Sequence, residues 1–275
     1  MSPLVLISVF GLFHPTHLQV KADRVYELTL ASRPFELPRP SCFTLVVPDK
    51  IERRFCGGLR VMRSGKELLA VISVPLEEAT AAAVAAELPA DAPVEAAKAQ
   101  AVLARSFYAA GGHHGNRFCD STHCQFTRGL AAADSVAARA AQATRGLVLE
   151  YQGKPIAPLY SASCGGRTFT AADVGLREEV YPYFSVECPV CVREAKTWQR
   201  TVESIPPRNE LARARERNLP SNFFSAESRD GVFLLHGRGE GHGVGFCQRG
   251  AMGLAREGIS FREILERYLP NTALR

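Results

Sequence analysis

A chain of 275 residues with 46% apolar content is long enough to bury one large core or two modest ones, and it carries no repeat or low-complexity tail. Its net charge of +5 is small and evenly scattered, which argues against a nucleic-acid-binding surface and adds at most a weak attraction to anionic polymers. No apolar run is long enough to cross a bilayer as a helix.

The first apolar stretch, Pro3 to His14, lacks a basic leader and a small-residue cleavage site, and the alternating segment from Gln19 to Leu28 follows after a short break. The two read as a strand pair and not as a signal peptide. Residues 1–74 are expected to be β-rich throughout, with Cys42 and Cys56 bracketing a hairpin, either bridged or as two buried thiols. Two alanine-rich segments come next, Pro75 to Leu88 and Asp91 to Ala110. Pro89 between them predicts two helices joined at a tight corner, and Gly111-Gly112 ends the second.

Directly after this helix the segment from His113 to Cys124 holds five soft or borderline metal ligands. Imidazole and thiolate suit Zn²⁺, and His113, Cys119, His123 and Cys124 form the expected four-ligand structural site; a Cys119–Cys124 disulfide with solvent-facing histidines is the alternative. A helix is predicted over Ala131 to Ala143. A hairpin with its turn at Gly153 follows, carrying strands from Gly146 to Tyr151 and from Pro155 to Tyr160. The charged, proline-dotted stretch from Cys188 to Arg229 reads as irregular, with one helix near Arg208 to Glu216, and two short helices close the chain. Cys164, Cys188, Cys191 and Cys247 fit a second four-thiolate site or two disulfides equally well. The run Gly237-x-Gly239-x-x-His242 is not a dinucleotide fingerprint, because histidine stands at its third glycine. The fold class expected is α+β, helices packed on mostly antiparallel sheets with a groove between helical and sheet-rich parts.

Several blocks, in order, resemble the stage II sporulation protein D (SpoIID) and amidase-enhancer family. They are Val74-Pro-Leu-Glu-Glu-Ala-Thr with Glu87-Leu-Pro and Val94-Glu95-Ala-Ala-Lys98-Ala-Gln100 to Arg105-Ser-Phe107; Cys119-Asp-Ser-Thr-His-Cys-Gln125; Tyr160-Ser-Ala-Ser-Cys-Gly-Gly166; and Gly239-Glu-Gly-His242-Gly-Val-Gly-Phe-Cys-Gln248-Arg-Gly-Ala251. The similarity runs from about Leu69 to the C-terminus, so residues 75–275 are expected to form the SpoIID-like core behind the β-rich N-terminal region.

The resemblance implies a peptidoglycan lytic transglycosylase acting on glycan strands stripped of peptide, or alternatively a non-catalytic cell-wall module that stimulates a partner amidase. It therefore also implies an extracytoplasmic location. In lytic transglycosylase chemistry one carboxylic acid protonates the glycosidic oxygen and then, as carboxylate, deprotonates the C6 hydroxyl that closes a 1,6-anhydro ring. Glu87 matches the glutamate of the family's Glu-Leu-Pro corner and is the expected acid, since apolar packing beside the corner would raise its pKa. Glu95 is the alternative acid, with a plainer role as a first-turn helix residue paired with Lys98.

Carried over in the same way, Arg105 would orient a glycan oxygen or tune the acid, its alternative being a structural ion pair. Tyr160, Ser161, Gly165, Gly166, His242 and Gln248 would line the sugar site. For the glycines a strand ending in a turn, and for His242 a satisfied structural role, are the alternatives. Ala79 and Arg249 stand where the family often has aromatic residues, a loss expected to weaken sugar stacking.

Overall fold

A computed structural model describes residues 3–111, 114–175, 181–205 and 219–275. The helix expected near Arg208 to Glu216 lies outside them, as does His113. The described elements form an α+β fold divided into two compact units, residues 1–91 with 104–147 and residues 92–103 with 148–275.

The first unit contains strands β1 (Leu4–Val9), β2 (His17–Lys21), β3 (Val25–Thr29), β4 (Phe35–Val47), β5 (Ile51–Ser64), β6 (Glu67–Pro75) and β7 (Phe118–Cys119), in the sheet order β3-β2-β4-β5-β6-β1-β7. Every pairing is antiparallel except β1 with β7. Strand alternation sends Val5, Ile7 and Val9 of β1 into the core, while Leu4 and Leu6 face outward. The expected strand pair at the N-terminus is corrected in its partners: β1 pairs with β6, and β2 forms its hairpin with β3. In β4 the register shifts between Leu37 and Ser41, where Pro38 and Pro40 have no N–H to donate to the ladder. Cys42 and Cys56 lie directly opposite each other on β4 and β5 and are bridged.

Helix α1 (Leu76–Glu87) buries Ala79, Thr80, Ala81, Ala83 and Val84. It ends as expected, because Leu88 precedes Pro89 and is forced into extended geometry (φ −114°, ψ 151°). Helix α2 (Val94–Ala110) starts behind Pro93 and stops at Gly111, whose φ of +106° is cheap only for glycine. Ala96, Ala97, Ala99, Ala101, Val102, Leu103 and Ala104 are all buried, so its small side chains admit close neighbours on several faces. Helix α3 (Val136–Ala143) begins later than expected: the Ser135 hydroxyl accepts from the Ala138 amide (3.2 Å) and caps it there.

In the second unit, β8 (Leu149–Tyr151) and β9 (Lys154–Pro155) form the expected hairpin through Gln152 and Gly153, both at positive φ. Its second arm is shorter than expected, since β10 (Tyr160–Ser161) leaves it to pair in parallel with β14 (Phe246–Cys247). The C-terminal β15 (Ala273–Leu274) adds to β8. Cys188 to Arg229, expected to be irregular, instead holds α4 (Pro189–Glu194), β11 (Thr197–Val202) and β12 (Phe224–Arg229), the two strands flanking β13 (Val232–Arg238). Asp230-Gly231, at φ +50° and +83°, closes the β12–β13 hairpin. The small core of that sheet is Leu219, Phe224 and Leu235, with Trp198, Val202 and Phe233 against it. Helices α5 (Gln248–Arg256) and α6 (Phe261–Tyr268) match the two expected at the C-terminus, α6 opening on a Ser260/Glu263 capping box. No described helix is long and apolar enough to cross a membrane.

Candidate functional site

The helical corner carries the candidate acids. Glu87 is the last residue of α1, half-buried beside the Leu88-Pro89 turn. Glu95, in the first turn of α2, is tied on both oxygens: Lys98 Nζ donates to Oε1 (2.6 Å) and the Phe261 amide donates to Oε2 (2.8 Å). Burial alone would raise its pKa, but these two hydrogen bonds and the Lys98 charge outweigh it and hold the carboxyl below its ordinary value. A third acid, Glu78, borders a cavity of about 20 Å³ lined by Ile7, Phe55, Val74 and Ala79, and burial raises its pKa. The sequence reading passed over it. Ala79 itself is buried in the first unit, so the aromatic residue it replaces would fill core and not stack on a sugar.

The expectation that Arg105 meets the substrate is corrected. Its side chain is 0% exposed and its guanidinium hydrogens are all engaged. Nε donates to Glu77 Oε1 (3.1 Å), Nη2 to Glu77 Oε2 (2.5 Å) and the Ala141 carbonyl (2.9 Å), and Nη1 to Thr144 Oγ1 (3.4 Å) and the Leu147 carbonyl (3.1 Å). Arg105 therefore fastens α2 to α1 and to the end of α3, the structural ion pair that was its alternative. Glu77, its partner, carries no signal in the sequence beyond a first-turn acid.

In the loop after α2 the structure brings together His114, Cys119, His123 and Cys124, with their ligand atoms all within 4.8 Å of one another. Cys119, His123 and Cys124 are three of the four expected ligands, His114 stands with them, and the fourth expected ligand, His113, lies outside the described residues. His123 Nδ1 stands 3.6 Å from Cys124 Sγ and 3.9 Å from Cys119 Sγ, and the imidazoles of His114 and His123 lie 5.1 Å apart. The hydrogen bond between the two sulfurs moves the Cys119 thiol down and the Cys124 thiol up. Two sulfurs and two imidazoles at this spacing are a donor set that fits a tetrahedral zinc ion, and both cysteines are free.

The loop is anchored to the sheet. Cys119 lies on β7 beside Ser8 of β1, and the buried Asp120 accepts from the Phe10 amide (3.0 Å) and from Arg53 Nη1 (3.0 Å), which also holds the Thr127 carbonyl (2.9 Å). Burial, the largest influence, pushes the Asp120 carboxyl up against the opposing pull of the Phe10 amide and Arg53. Neither Asp120 nor Arg53 was singled out from sequence, since nothing local links residues 67 positions apart.

In the second unit, Tyr160 is half-buried, whereas Ser161, Gly165, Gly166 and Gln248 are buried, contrary to a set of sugar-facing groups. A Cβ at Gly165 would lie 2.7 Å from the Arg238 carbonyl, and one at Gly239 2.5 Å from the Ser163 carbonyl. These glycines thus serve the close approach of one chain segment to another, sealed by the paired Ser163–Glu240 backbone hydrogen bonds (2.8 and 3.0 Å). The Gln248 amide donates to Gln100 (3.4 Å) inside the same unit. His242 is a satisfied structural histidine: its Nδ1 accepts from the Val244 amide (3.0 Å), which leaves the proton on Nε2 to donate to the Tyr160 carbonyl (2.8 Å). Burial pushes its pKa down to about 4, so the ring is neutral at physiological pH.

With this geometry in place, the comparisons with known proteins are specific. Residues 64–151, which span both helices of the corner and the His/Cys loop, match the family described as stage II sporulation protein, SpoIID. An uncharacterized protein of Brachyspira hyodysenteriae is 28% identical over 263 residues, covering 78% of this chain and 70% of that protein. The family match points to a cell-wall-related role. Over the matched segment the chain is similar to the SpoIID family.

Proposed function

We propose that this protein is a peptidoglycan lytic transglycosylase with Glu87 as its general acid and base. The observation that carries this reading is the clamp on Glu95, which leaves Glu87 as the other motif glutamate. Glu95 is clamped by Lys98 and the Phe261 amide and held ionised, so it is a poor proton donor. Glu87 is the last residue of α1, beside the Leu88-Pro89 turn, at the end of a helix where negative charge is least favoured. In the reaction Glu87 gives its proton to the glycosidic oxygen as the bond from that oxygen to C1 breaks. Its carboxylate then takes the proton of the C6 hydroxyl as that oxygen bonds to C1, so no water is consumed.

His114, Cys119, His123 and Cys124 would hold a structural zinc ion in this reading. The ion would fix the loop already fastened by Asp120 and Arg53, and all four positions being filled by protein leaves none for substrate. The substrate would be glycan strands outside the cytoplasm.

Digestion of peptide-free glycan strands in H₂¹⁸O tests the proposal. Products ending in unlabelled 1,6-anhydromuramyl groups support it. Labelled reducing ends would identify a hydrolase, and binding without cleavage would point to a module serving a partner amidase; either result overturns it.

A further inference from the structure

We propose that Cys164, Cys188, Cys191 and Cys247 bind one zinc ion as a four-thiolate structural site in the second unit. The proposal is independent of glycan cleavage. Three separate segments deliver these sulfurs: the glycine loop after β10, the head of α4, and the junction of β14 with α5. Each of the four residues is at most 1% exposed. Their sulfurs all lie within 4.8 Å of one another, and those of Cys191 and Cys247 are 3.5 Å apart.

Geometry separates the possible occupants. A disulfide needs a sulfur separation of about 2.0 Å and joins sulfurs in pairs, whereas here each sulfur is within reach of the other three. Four zinc–sulfur bonds of about 2.3 Å in a tetrahedron put the sulfurs about 3.8 Å apart, the scale of this cage. An iron–sulfur cluster interposes its own irons and sulfides between the cysteine sulfurs and needs a wider one.

The surroundings suit thiolates. Four thiolates around Zn²⁺ leave two net negative charges in a buried place, which calls for hydrogen-bond donors aimed at sulfur. The backbone amides of Cys164 (3.3 Å) and Gly250 (3.4 Å) both donate to Cys247 Sγ, the latter from the first turn of α5. The Ser163 hydroxyl stands 3.4 Å from Cys191 Sγ, and the buried Tyr268 hydroxyl 3.1 Å from Cys188 Sγ. Gly250 adds an independent sign. A glycine inside a helix costs about 0.5–1 kcal/mol relative to alanine. Here a Cβ would stand 1.9 Å from the Tyr268 hydroxyl and 2.6 Å from Cys188 Sγ, so the close approach of both groups to α5 requires glycine.

The ion's role would be to bind these three segments into one piece, with the four thiol protons released as it enters. The test uses the full chain carrying Cys119→Ser and Cys124→Ser, which removes the sulfur ligands of the other loop. Mass spectrometry of the metal content should find about one zinc per chain, and zinc-edge X-ray absorption should find sulfur alone in the first shell, at about 2.3 Å. The wild type should hold about two zinc ions with, on average, three sulfurs and one nitrogen around each, which keeps the proposal testable should that variant fail to fold. Cys191→His, which keeps a ligand, should retain zinc with one sulfur exchanged for nitrogen. No zinc in the double variant, iron in its place, or disulfides among the four cysteines in the native protein would each overturn the assignment.

Discussion

Replacing His242 by Asn should remove a specific pH dependence of stability. In the folded protein the ring's titration is depressed from the ordinary 6.5 to about 4, because burial disfavours the cation and both nitrogens are committed in the neutral form. As pH falls through 6.5 the unfolded chain takes up a proton that the folded chain refuses until about 4. The stabilisation is therefore complete above 6.5 and is lost progressively down to 4, with no further loss below. Between pH 7 and pH 5 this one ring should cost the fold about 2 kcal/mol. Urea unfolding at both pH values measures it: the wild type should lose about 2 kcal/mol more than His242→Asn does over that interval. Equal losses in the two proteins, or an NMR titration of the His242 ring with its midpoint near 6.5, would refute the reasoning.

Arg105→Met should destabilise the first unit by about 3 kcal/mol, because it strands the part-buried Glu77 carboxylate and two carbonyls. Adding Glu77→Leu should recover part of that loss in a double-mutant cycle, while glycan cleavage per folded molecule stays unchanged. Normal stability with lost cleavage would return Arg105 to the substrate. Glu95→Gln should cost about 1 kcal/mol at neutral pH, measured by urea unfolding. Since the folded-state pKa of Glu95 is lowered, that cost should be full above the ordinary carboxylate range and vanish as acid protonates the wild-type group. A cost that persists in acid would mean the clamp acts by shape and not by charge.

Where signals are local, the sequence told the fold well. The Glu87-Leu88-Pro89 corner, the Gly111 stop and the Gly153 hairpin each depend on neighbours within a few positions. The partner of β1 was illegible because strand pairing is chosen by burial across some sixty residues of chain and not by the strand itself. The sheet of β11, β12 and β13 was hidden by its exposed, charged faces, although Asp230-Gly231 is a strong hairpin signal that went unread. In the His/Cys loop two adjacent histidines are equivalent as sequence. The place of His114 beside the cysteines depends on the backbone at Gly115 and Asn116, both at positive φ, and on the hydrogen bond from the His114 amide to the Arg117 carbonyl, while His113 lies outside the described residues. Arg105 and His242 were read as possible substrate contacts because their partners, Glu77 and the Tyr160 carbonyl, are far away in the chain.

The central claim is that Glu87 alone supplies and retrieves the proton. It is tested most directly by comparing the wild type with Glu87→Gln, Glu95→Gln and Glu78→Gln on peptide-free glycan strands, counting 1,6-anhydromuramyl ends per folded molecule. The account predicts that only Glu87→Gln abolishes the anhydro ends, with strand binding retained. Anhydro ends persisting at the wild-type rate in Glu87→Gln, or disappearing instead in Glu95→Gln or Glu78→Gln, would contradict it.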